Sequence, residues 1–266
     1  MTIQAHLHIV AATAIAAALL MPSAAVAIDE TTRSLARNLG MLRIFGELKH
    51  DLKAVLTPEM GFPDAHLRHW DAAVDAGFDA ELLEADFVQA LEDQLSLDAR
   101  NAALAFDASP LGQKVNQLAT SWYSVTDKSA ALAAAQQVVE AASVQQNALF
   151  VDLFASQRAP ELASGVMDVY FRLMSSAAEP VVGKQAADQW VSDADYLRED
   201  FVEDYFLTQV AVYGHLEQEQ LKDVTTVIGT PQMGTYAEQT NSAFLEALEA
   251  AAQRLETAYS EAVHDQ

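Results

Sequence analysis

Leu95-Ser96-Leu97-Asp98-Ala99-Arg100-Asn101-Ala102-Ala103-Leu104-Ala105-Phe106-Asp107-Ala108-Ser109-Pro110-Leu111-Gly112 is the stretch that decides the fold. An amphipathic run ends in a hydroxyl, a proline and a glycine, and helical periodicity then resumes toward Trp122. Ser109 can cap free N–H groups, and Pro110 fits a first helical turn, where its missing donor costs nothing. Gly112 removes a side chain where another helix can approach. Leu216 to Gly234 repeats the pattern. At an offset of 121, Leu95 meets Leu216, Phe106 meets Val227, Ser109 meets Thr230 and Pro110 meets Pro231. One inserted residue then moves the offset to 122, where Gly112 meets Gly234 and Trp122 meets Phe244. The spacing predicts two related helical hairpins, over about 79–127 and 200–250. A helix start with a hydroxyl and a glycine can also hold an anion. Lys114 would help in the first copy, whereas Thr235 and Tyr236 give the second no cation.

Outward from these corners the same period persists. Leu67, Trp70, Val74 and Phe78 keep it, as do Leu83, Phe87 and Leu91, and Phe201, Tyr205, Thr208 and Val212. Nothing alternates with the period of two that strands need, and no Asn-Gly or Asp-Gly hairpin turn occurs. The fold class is therefore all-α, an irregular multi-helix bundle. Start and break signals at Thr57-Pro58, Pro63-Asp64, Asp79, Ser96, Ser109-Pro110, Pro160-Glu161, Glu179-Pro180 and Thr230-Pro231 divide it. They place helices over 31–56, 64–77, 80–94, 97–107, 110–126, 128–157, 161–178, 186–213, 217–228 and 231–262. The alanines of 130–142 give a smooth face that permits close packing or simply favours helix.

The phrase Leu104 to Gly112, with its second version around Thr230-Pro231, resembles the signature of a bacterial exported family, the domain of unknown function 2059. The resemblance runs from a lead-in centred on Trp70 through both corners to the C-terminal helix. It implies an exported, all-helical protein without an established catalytic site. The extra residue in Thr230-Pro231-Gln232-Met233-Gly234 departs from the pattern.

Composition narrows the class. The 266 residues carry a formal net charge of −23, with no cysteine and a total of 17 glycines and prolines. Collagen-like, disulfide-stapled and disordered chains are excluded. So acidic a surface repels a phosphate backbone, so no nucleic-acid partner is expected.

Residues 1–27 contain no Asp, Glu, Lys or Arg. Ile9 to Met21 is apolar except for Thr13, too short to span a bilayer, and Ala25-Val26-Ala27 follows as a small-x-small cleavage pattern. The region before it offers only His6, His8 and the amino terminus as positive groups. The expectation is a cleaved signal peptide, 1–27, and a periplasmic single all-helical domain, 28–266, with no membrane span.

Glu47-x-x-His50 and Glu261-x-x-His264 have the spacing that dinuclear helical bundles use. His66-x-x-His69, with Asp64 and Asp71, could grip a divalent ion from one helix face, or could be exposed residues of a plain helix start. Acidic runs at 71–86 and 193–204 lack the glycine of a calcium loop and suit a solvated face, weak cation binding or a basic partner. The aromatics Trp190, Tyr196, Phe201, Tyr205, Phe206 and Tyr213 form core or line a groove for a small apolar ligand. No nucleophile elbow, glycine-rich phosphate loop or His-Glu-x-x-His occurs. The expected role is a non-catalytic binding or interaction module without cofactor. The alternative is a metal-dependent enzyme using Glu47 and His50 or His66 and His69.

Overall fold

The computed structural model describes residues 30–38 and 41–264, with backbone alone for Asn38, residues 41–45 and Glu47. The expected signal peptide, 1–27, lies outside the described residues. Among the described residues the chain forms helices and no strand. They are α1 (Glu30–Asn38), α2 (Met41–Ala54), α3 (Asp64–Gly77), α4 (Ala80–Gln94), α5 (Leu97–Ala108), α6 (Pro110–Tyr123) and α7 (Lys128–Ala141). They continue as α8 (Val144–Ser156), α9 (Ala159–Val182), α10 (Lys184–Asp193), α11 (Leu197–Tyr213), α12 (Gln218–Ile228) and α13 (Pro231–His264). None of them is long and apolar enough to cross a membrane.

The starts follow from side-chain oxygens that satisfy first-turn N–H groups. Asp79 accepts from Glu81 N and Leu82 N, Ser96 from Ala99 N and Asp127 from Ala130 N. Three expected spans differ from what forms. The span 31–56 holds both α1 and α2. The span 128–157 divides because Ser143 turns the chain and caps α8 through Gln146 N, while Asn147 Nδ2 donates to Val139 O at 3.0 Å. The span 186–213 divides at Ala194–Tyr196 into α10 and α11. Pro180 does not end α9, because it sits in the last turn; Gly183, at φ 82°, closes the helix instead with its N–H on Glu179 O. The alanine face of α7 is mostly exposed, with Ala135 alone fully buried, so these residues serve helix propensity rather than close packing.

α13 organises the bundle. Its 34 residues extend about 50 Å and bury a stripe from Met233 to Tyr259. Alanines at 243, 247, 251 and 252 let neighbours come close. α3, α4, α5 and α9 pack along it, while α11 packs on α6, α7 and α9, and α12 on α8. One close approach is at Gly77, where a β-carbon would lie 2.6 Å from Leu255 Cβ. Arg254 on α13 donates to Gly77 O at the end of α3 and to Asp86 on α4 at 2.6 Å. Half of the first acidic run is thus engaged by the fold: Asp75 pairs with Lys49 and Lys53, Asp79 caps and Asp86 pairs.

A buried polar knot fixes α3 to α9 and α13. His66 donates from Nε2 to Ala177 O at 2.8 Å, stacks on Phe62, and meets the Tyr259 hydroxyl, which lies 2.9 Å from Nδ1. Burial disfavours the imidazolium and pushes His66 below its ordinary value of 6.5, outweighing the carbonyl bond. His66 therefore contributes stability that is whole above about pH 6.5 and drains away as pH falls toward its depressed native value. Thermal melts between pH 7.5 and 5 should show a steeper loss for the wild type than for His66→Gln. Equal slopes would show that His66 titrates no differently in the folded chain.

Candidate functional site

The two corners are built alike. At the first, Phe106 O accepts from Ser109 N at 2.9 Å and from Ser109 Oγ at 2.6 Å. At the second, Val227 O accepts from Thr230 N at 3.1 Å and from Thr230 Oγ1 at 2.7 Å. The first helical bond follows in both, Gln113 N on Ser109 O and Gly234 N on Thr230 O. Gly234 therefore stands where Gln113 does, and Met233 where Gly112 does. The inserted residue that aligned the two glycines is not present as a bulge: α13 simply continues from Pro231. The glycines differ accordingly. A β-carbon on Gly112 would overlap the Phe106 carbonyl, whereas one on Gly234 would meet nothing within 4 Å.

Between the corners lies a cavity of about 200 Å³. Each wall is one helix face. α6 supplies Val115, Asn116, Ala119, Trp122 and Tyr123; α11 supplies Tyr205, Thr208, Gln209, Val212 and Tyr213. α13 supplies Met233, Tyr236, Ala237, Thr240 and Asn241, and Phe106 and Asp107 close one end from α5. Counted from the corner prolines, the same positions face inward on both sides: Val115, Asn116 and Ala119 on α6, and Tyr236, Ala237 and Thr240 on α13.

Hydrogen bonds hold the polar part of this wall. Gln157 Nε2 donates to Tyr213 OH at 3.0 Å, and Asn241 Nδ2 donates to Gln157 O at 3.0 Å. Asn116 Nδ2 donates to Asp107 Oδ1 at 3.3 Å. Burial pushes the phenols of Tyr205, Tyr213 and Tyr236 above their ordinary value of 10, and the Asp107 carboxylate adds to this at Tyr236. They stay protonated at physiological pH.

One donor is left over. Trp122 is 6% exposed, and its buried indole N–H has no acceptor. Gln209 Oε1 and Thr240 Oγ1 are buried too. The phenols of Tyr205 and Tyr236 lie beside them without reaching hydrogen-bond geometry. A buried polar group left unpaired costs about 1–3 kcal/mol.

Among the described side chains, the residues singled out as metal ligands are not brought together. His66 is buried and engaged in the knot with Ala177 and Tyr259, so it is not an exposed ligand beside His69. His50 is exposed on α2, away from any bundle interior; the side chain of Glu47 lies outside the described residues. Glu261 and His264 are exposed at the end of α13, where His264 Nδ1 bonds back to Ser260 O. Among the described residues no three His, Asp or Glu are placed to hold a metal ion. Of the six aromatics before the second corner, Tyr205 and Tyr213 line the cavity. Phe206 instead packs edge-on against Phe154. Ser109, Pro110, Thr230, Pro231 and the two glycines shape the corners but do not line it. Trp122, Asp107, Gln157 and Thr240 were missed as site residues.

Fold and site together define an all-helical protein with a polar-edged aromatic cavity lined from α5, α6, α11 and α13. Residues 81–143 match the model of a family described as an uncharacterized protein conserved in bacteria (DUF2059). This is the family that the Ser109-Pro110 corner resembles, and the match spans α4 to α7. It covers the α6 wall of the cavity and stops before α11, α12 and α13. Neither curated proteins nor solved structures provide a match.

Proposed function

We propose that the protein is an exported periplasmic binding module that encloses a small molecule in the cavity between its two hairpins. The observation that carries this reading is the unpaired Trp122 N–H in the cavity wall. An apolar cavity of roughly 150 Å³ takes up benzene, so about 200 Å³ suits a molecule of roughly eight non-hydrogen atoms. The charge-free segment ending at Ala25-Val26-Ala27 supports export, and the acidic surface fits a chain that meets neither nucleic acid nor anionic lipid.

Native mass spectrometry of the chain purified from the envelope fraction tests both halves. The expected mature form begins at Ile28 and carries a small molecule that Ala237→Leu excludes by filling the cavity. Because Ala237 borders open space, this variant should melt within a few degrees of the wild type. A wild-type chain that is always empty, with an uncleaved N-terminus, would overturn the proposal.

A further inference from the structure

The wall has a charge pattern that selects among ligands. Among the described residues its one carboxylate is Asp107, and no Lys, Arg or His lines it. The same wall carries Phe106, Trp122, Tyr123, Tyr205, Tyr213 and Tyr236, of which Tyr236 feels the Asp107 carboxylate. Aromatic faces attract cations, and rings gathered around a space of this size are how proteins enclose ammonium ions. Trp122 already shows the attraction, because Lys128 Nζ lies 4.5 Å from its ring centroid. That lysine also donates to Trp122 O at 2.8 Å, so it is held at the helix end and does not line the cavity. An anion would face Asp107, and Lys128, at the edge of the wall, is already held by the Trp122 carbonyl and ring. A plain hydrocarbon would leave the Trp122 N–H without an acceptor. The net charge of −23 raises the local concentration of cations near the surface.

Building on the reading of the cavity as a ligand site, we infer that its occupant is a small organic ammonium ion carrying one hydrogen-bond acceptor. The ammonium sits among the rings beside Asp107. The acceptor, a hydroxyl or carbonyl oxygen, takes the Trp122 N–H, and any N–H of the ligand can reach Gln209 Oε1 or Thr240 Oγ1.

Calorimetric titration of the mature chain with three probes tests this: choline, 2-aminoethanol and 3,3-dimethylbutan-1-ol. The last matches choline in shape without its charge. At least one ammonium probe should bind ten times more tightly than the neutral alcohol or better. Asp107→Asn should weaken that probe about tenfold and leave the alcohol unchanged. Should Asp107→Asn misfold, the comparison of choline with its neutral analogue in the wild type decides alone. An alcohol that binds as well as both ammonium probes would overturn the inference and leave the binding module standing. If none of the three binds, the inference fails, and the envelope-derived chain then decides the broader reading.

Discussion

Alanine at the two corner glycines is expected to move stability in opposite directions. At Gly112 the new β-carbon would overlap the Phe106 carbonyl, which already accepts from Ser109 N and Ser109 Oγ. Relief requires α5 and α6 to separate, which breaks those bonds and the cap from Gly112 N to Ser109 Oγ at 3.0 Å. Overpacking against rigid backbone costs up to about 3 kcal/mol or more. At Gly234 a β-carbon meets nothing, and alanine is worth roughly 0.5–1 kcal/mol over glycine inside a helix. Urea unfolding should therefore show a lowered midpoint for Gly112→Ala and a raised one for Gly234→Ala. The same sign for both would mean that the corners are not related as the structure has them.

This contrast also locates what could be read from sequence. Corner chemistry is local, so Ser109-Pro110 and Thr230-Pro231 declared themselves, and α3 and α4 begin and end where Pro63-Asp64 and Asp79 place them. The glycine alignment fails because the two glycines stand at different distances from their prolines, Gly112 two residues past Pro110 and Gly234 three past Pro231. Ser143 with Gln146 carried a legible start signal that the continuous alanine pattern masked. The cavity was beyond reach for another reason. Its stripes on α6, α11 and α13 have the spacing of any core face, and only tertiary packing decides that they oppose one another. Their signal lay in polar members, Asn116, Gln209, Thr240 and Asn241, at positions that periodicity assigns to the interior.

Stability and binding should separate at Trp70. This ring is fully buried where α2, α3 and α13 meet, donates from Nε1 to Leu52 O at 2.8 Å, and meets Tyr259 edge-on with centroids 5.4 Å apart. Trp70→Ala would leave a large cavity and cost about 3–5 kcal/mol, enough to unfold a marginal chain. Trp70→Phe keeps most of the ring but removes the indole bond to Leu52 O, which retains only the longer bond from Val55 N at 3.4 Å, a cost of about 0.5–1.5 kcal/mol. Neither Trp70 nor its contacts line the cavity. The Phe variant should therefore melt lower while its folded fraction binds the preferred ammonium probe with wild-type affinity. Ala237→Leu should do the reverse, keeping the melting temperature and losing the ligand. If Trp70→Phe weakened binding in chains shown to be folded, the cavity would be coupled to the far end of α13, a connection that the packing of α3 on that helix does not require.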